Sequence, residues 1–138
     1  MPEFVMDRGT SDKEFRALDA FTQGYIECAF FTESGEEDSP CEGASFDDLH
    51  PDTLQAMIDD CRDFQELAKR SLDLAYDYAT RAYDESQAGH DFWLTRNGHG
   101  AGFWDRGLGA VGDKLTKDAK TFGAADLYLG DDGFIHQG

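Results

Sequence analysis

The sequence predicts an α+β fold in a single domain spanning residues 1–138, helical in its first two-thirds and closing in a small antiparallel β part with one short helix. Three observations predict it. Apolar residues recur at intervals of three and four up to about residue 88, which is the helical period. Glycine and aromatic residues crowd together from residue 89 onward. Two turn signals, Asn97-Gly98 and Asp131-Asp132-Gly133, fall in that last part between short apolar runs. A chain of 138 residues with 40% hydrophobic and 13% aromatic content can bury one core of ordinary size, so neither a disordered chain nor a second domain is expected.

The elements follow in order. Ser11-Asp12-Lys13-Glu14 has the form of a capping box, in which the Ser11 hydroxyl and the Glu14 carboxylate satisfy backbone donors at a helix start. Phe15, Leu18, Phe21, Tyr25, Cys28 and Ala29 then share one face, which predicts a helix near residues 12–31; Gly24 weakens it by about 1 kcal/mol relative to Ala. Residues 32–48, TESGEEDSPCEGASFDD, form an acidic loop with seven carboxylates and no base, either a solvated connection or part of an interaction surface. Pro51 suits the first turn of a helix. Leu54, Ile58, Cys61, Ala68, Leu72, Ala75, Ala79 and Ala82 keep helical spacing until Gly89 offers a stop, so residues 52–88 read as one long helix, or as a helical hairpin broken near Ser71.

In the glycine- and aromatic-rich segment, residues 89–138, residues 92–96 read as a strand that turns at Asn97-Gly98 and pairs with Phe103-Trp104-Asp105. Val111, Leu115 and Ala119 predict a helix within residues 108–122. A second hairpin pairs residues 126–129 with residues 134–136.

Charge constrains function. The chain has 29 Asp and Glu against 12 Lys and Arg, a formal net charge of −17 and a pI near 4.3. Solubility of a small domain asks for only about 2–8 net charges, and the excess repels itself in the compact state. Direct binding to nucleic acid or to an anionic bilayer is disfavoured by the shared sign, and a basic partner is favoured. The surplus is greatest early: residues 1–48 hold 13 acids against 3 bases, residues 49–88 hold 9 against 4, and residues 89–138 hold 7 against 5. Cys28, Cys41 and Cys61 show neither CxxC nor Cys/His zinc spacing and read as free thiols of a reducing compartment. The opening residues lack a basic segment followed by an apolar run, and no apolar stretch nears 18 residues, so a cytoplasmic chain is expected.

Within the long helical stretch, Asp59, Asp63, Glu66, Asp73, Asp77 and Asp84 step by four, three, seven, four and seven residues, intervals that hold one helical face. Neighbouring carboxylates on such a face lie about 5–10 Å apart along the axis, a spacing on the scale of nucleic-acid phosphates. With Glu36, Glu37 and Asp38 of the acidic loop they are the candidate partner-binding residues. Arg70 and Arg81 interrupt the stripe and are expected to pair with Glu66 and Asp77 one turn away.

The stretch HDFWLTRNGHGAGFWDRG, from His90 to Gly107, followed by FG, DLY and GDDG between residues 122 and 133, resembles a recurrent segment of small bacteriophage-encoded proteins, mostly of unassigned function. The resemblance implies a phage or prophage product acting in a bacterial cytoplasm. In charge and size the chain is also similar to the acidic phage proteins that imitate DNA and disarm restriction enzymes or CRISPR complexes. It implies an inhibitory binding protein without catalytic residues, cofactor or metal, whose partner is a basic host nucleic-acid-binding protein such as a defence nuclease or CRISPR effector. Two alternatives stand beside this expectation. His90, His99 and Asp105 supply donors for a metal-assisted enzyme, with Asp131 and Asp132 able to join them, although no established metal motif is present. A phage accessory or assembly protein whose long helix pairs in a homodimer is the other. In the structural account of the segment, Phe92, Trp93, Phe103 and Trp104 fill the core, while Arg96 and Arg106 pair with Asp91 and Asp105.

Overall fold

A computed structural model describes residues 6–34, 39–77 and 83–137. The described residues form an α+β fold with six α-helices: α1 (Asp12–Arg16), α2 (Ala20–Thr32), α3 (Pro51–Leu67), α4 (Lys69–Tyr76), α5 (Glu85–Arg96) and α6 (Ala110–Lys120). Single 3-10 turns cover Phe46–Asp48 and Phe103–Asp105, and strands β1 (Leu127–Leu129) and β2 (Ile135–Gln137) pair antiparallel, with Tyr128 opposite His136. No helix among these residues is long and apolar enough to cross a membrane.

At the centre α2 packs along α5. Each contributes a glycine to the crossing: a Cβ on Gly24 would overlap the Ser86 carbonyl, and one on Gly89 would overlap the Phe21 carbonyl. Gly89 therefore lies inside a helix and does not stop one. Closeness of the two backbones brings aromatic rings into register around them. Phe64 of α3 stacks on Phe92 with centroids 4.2 Å apart, Phe103 stacks with Phe64 at 5.7 Å, and Trp93 meets Tyr25 edge-on at 5.3 Å. The Trp93 indole N–H donates to Thr32 Oγ1 at 2.8 Å, so its one polar atom is satisfied inside the core.

Several expected elements take a different form. The helix expected near 12–31 is two helices, because the Asp19 carboxylate accepts from the Thr22 amide at 2.7 Å and starts a new helix at Ala20. Ser11 makes no capping bond from its side chain to α1. The long helix breaks at Ala68, three residues before Ser71, where α3 ends and α4 begins after one residue with φ −102° and ψ 16°. Its continuation through Ala79 and Ala82 lies outside the described residues. Residues 92–96, expected as a strand, are the second half of α5, and Phe103–Asp105 is a 3-10 turn, so the first hairpin does not form. Burial explains the miss: Ala88, Gly89, Asp91, Phe92, Trp93, Thr95 and Arg96 are all buried, and a helix covered on nearly every side shows no one-sided period. The helix within 108–122 and the second hairpin are as expected.

The N-terminal segment is tied down by the Phe46 amide, which donates to the Asp7 carbonyl at 2.7 Å, and by the Asp47 carboxylate. Asp47 accepts from the Thr10 amide at 2.6 Å and the Thr10 hydroxyl at 3.0 Å. Hydrogen bonding from the Ser11 hydroxyl first, and then from the Thr10 amide, holds the Asp47 carboxyl below its ordinary value of 3.8. A depressed carboxyl stabilises the fold above that ordinary value, and the contribution is lost as pH falls through the lower folded-state value. Hydrogen-exchange protection at the Thr10 amide is therefore expected to collapse in that acid window before the core opens. Asp47→Asn should remove the early step; an unchanged profile in the variant would show that Asp47 does not hold the segment.

Candidate functional site

The candidate acidic residues occupy a helical elbow and not a continuous ladder. Asp59, Asp63 and Glu66 lie on α3, Asp73 on α4, Asp77 caps the end of α4, and Asp84 is the N-cap of α5, its carboxylate accepting from the Gln87 amide at 2.8 Å. Bases answer three of the six. Arg62 reaches Asp59 and Asp63, both at 3.2 Å, and Lys69 reaches Asp73 at 3.1 Å. Glu66 and Arg70 do not form the expected ion pair, and the expected partner of Asp77, Arg81, lies outside the described residues, as do Glu36, Glu37 and Asp38. Exposed pairs of this kind contribute about 0–1 kcal/mol each. They lower the net charge of the face more than they stabilise it.

Sequence periodicity did not single out two apolar residues on this face. Leu67 and Leu74 are 57% and 50% exposed, and they line one shallow groove together with Glu66, Lys69, Arg70, Asp73 and Asp77. On the other side of the elbow a groove of about 370 Å³ runs between α3, α4 and the starts of α2 and α5, with Asp19, Glu66, Asp73 and Glu85 on its walls against Arg62 and Lys69. The helical period assigns apolar residues to the core by default. Ala68, Leu72 and Ala75 turn inward, and Leu67 and Leu74, each one residue off that face, are left facing out.

In the glycine- and aromatic-rich segment, Phe92, Trp93 and Phe103 are fully buried core and Trp104 is exposed. Both arginines choose other partners than the neighbours expected from sequence. Arg106 grips Asp91 with Nε at 3.0 Å from both carboxylate oxygens and Nη2 at 2.7 Å from Oδ1; Tyr83 donates its hydroxyl to the same carboxylate at 2.7 Å. Burial first, and then the adjacent Asp91 charge, pushes the Tyr83 hydroxyl far up, so it stays a donor. Arg96 donates to Asp60 at 2.8 Å, to the Tyr25 hydroxyl at 3.0 Å and to the carbonyls of Gly123 and Phe122 at 2.8 and 3.1 Å. One guanidinium thus joins α2, α3, α5 and the turn after α6. These are satisfied internal networks whose donors and acceptors face each other.

His90, His99 and Asp105 do not converge; among the described residues the donor set that does is His50, Asp132 and His136. The three cysteines are free and buried. Burial pushes the Cys28 and Cys41 thiols up to about 12, and Cys61 well above its ordinary value, which leaves none of them thiolate at neutral pH. No family model, no curated protein and no solved structure matches the chain.

Proposed function

We propose that the chain is a phage-type inhibitory binding protein of the bacterial cytoplasm, which sets the α3–α4 face into the cationic nucleic-acid-binding cleft of a host protein. The observation that carries this is the groove in which two exposed leucines, Leu67 and Leu74, are rimmed by Glu66, Asp73 and Asp77 together with Lys69 and Arg70. Apolar anchors ringed by charge are the usual anatomy of a protein-binding surface. The net charge of −17 sets the sign of the partner. Because Arg62 and Lys69 partly neutralise the face, the mimicry is not of phosphate spacing alone. Long-range attraction comes from the whole acidic chain, and the leucines supply short-range contact.

The experiment is capture of a basic protein from bacterial lysate on the immobilised chain. Capture should weaken steeply with salt and be reversed by duplex DNA, which competes for the same cleft. Neutralising Asp63, Glu66, Asp73 and Asp77 together, as Asn or Gln, should abolish it with the helical circular-dichroism signal retained, and Leu67→Ser with Leu74→Ser should weaken it by about tenfold or more. Capture that is indifferent to the fourfold neutralisation and to DNA overturns the proposal.

A further inference from the structure

We infer that His50, Asp132 and His136 form a binding site for one divalent transition-metal ion of the zinc class. The three come from two distant parts of the chain. His50 is the N-cap of α3, Asp132 lies in the β1–β2 turn, and His136 is on β2. One ligand atom from each falls within 4.8 Å of the other two. The two imidazoles stack with centroids 4.6 Å apart, and His136 Nε2 lies 2.9 and 3.0 Å from the Asp132 oxygens. Two imidazole nitrogens and one carboxylate oxygen are a donor set that suits zinc and its neighbours better than magnesium or calcium, which prefer oxygen alone.

The backbone around the cluster is already arranged for it. The His50 amide donates to the Ile135 carbonyl at 3.0 Å, and the Gln137 amide donates to Thr53 Oγ1 at 3.1 Å, so β2 is docked on the start of α3 by bonds outside the three ligand side chains. Gly130 keeps the cluster open: a Cβ there would stand 2.6 Å from His136 Cδ2 and 2.8 Å from both His136 Nε2 and Asp132 Oδ1. The Phe134 amide donates to Asp132 Oδ1 at 2.9 Å, which holds the carboxylate in place beside His136.

The proton balance is explicit. The ion takes the place of any proton between His136 Nε2 and Asp132; a neutral ring carries that proton on Nδ1 once Nε2 is ligated, and a charged ring gives up its second proton to solvent. His50 Nδ1 accepts from the Asp52 amide at 3.1 Å. Three protein ligands leave the remaining coordination to water. The bound ion pins the C-terminal hairpin to α3.

The test is calorimetric titration of the chelator-stripped full chain with Zn²⁺ alone, in excess Mg²⁺ so that exposed carboxylates are already occupied. One equivalent is expected to bind. His50→Ala and His136→Ala should each weaken binding by about tenfold or more, and His99→Ala should leave it unchanged. An alanine at His136 could loosen the hairpin, so ring signals of the unaltered chain are followed by NMR in parallel. Those of His50 and His136 should shift with one equivalent while those of His90 and His99 stay still. Absence of stoichiometric uptake, uptake indifferent to both substitutions, or shifts confined to His90 and His99 would each overturn the assignment.

Discussion

Arg106→Met is expected to destabilise the fold by about 3 kcal/mol, the lower end of what removing one partner of a buried ion pair costs. Asp91 is fully buried, and Arg106 supplies three of the contacts that compensate its charge, the rest coming from Tyr83 and Gln87. Methionine keeps much of the stem and removes the guanidinium, so the loss reports the charge left behind rather than a cavity. The lower end applies because the Arg106 side chain is 30% exposed, and water can enter where the guanidinium was. Adding Asp91→Asn to Arg106→Met should recover part of the loss, since a neutral amide is cheaper to bury than a lone carboxylate. Urea unfolding of the two single variants and the double variant measures the coupling. A change below about 0.5 kcal/mol for Arg106→Met would mean that Asp91 is not relying on it.

Gly89→Ala is the second large effect, and two opposing terms decide its sign. Alanine in a helix interior gains about 1 kcal/mol over glycine. Against that, the new methyl would overlap the Phe21 carbonyl and come within 2.8 Å of the Tyr25 amide nitrogen, both backbone atoms that no rotamer change can move aside. α2 and α5 must separate, and with them the stack of Phe21, Phe64 and Phe92. Overpacking of this kind costs about 1–3 kcal/mol, more where backbone must shift, so a net destabilisation of about 2 kcal/mol is expected. Gly100→Ala is the control, because an added Cβ there meets nothing within 4 Å. Equal unfolding midpoints for the two variants would show that the crossing has slack.

The two predictions test the part of the molecule that was hardest to read from sequence. In α6 and α3 one face is wet, so Val111, Leu115 and Ala119, or Leu54, Ile58 and Cys61, stand out at helical spacing and mark the helices in the chain itself. Residues 92–96 look strand-like because the phenylalanine and tryptophan are adjacent, yet they sit in a helix wrapped on nearly all sides. No local rule marks Gly89 as a crossing point, because its partner, the Phe21 carbonyl, is contributed by another helix.

The same division runs through the candidate sites. Composition and order alone determined that the chain is an acidic α+β domain, that a helix begins at Pro51, and that the chain ends in a hairpin turning at Asp131-Asp132-Gly133, because these depend on charge and on neighbours a few residues apart. Tertiary structure decided that α3 gives way to α4 at Ala68, that Arg62 and Lys69 lean onto half of the acidic stripe, and that His50 meets Asp132 and His136. Each of these last is settled by which helix or strand packs against which. Long-range packing chooses among local conformations that differ by about 1 kcal/mol or less per residue, too little for the local sequence to decide.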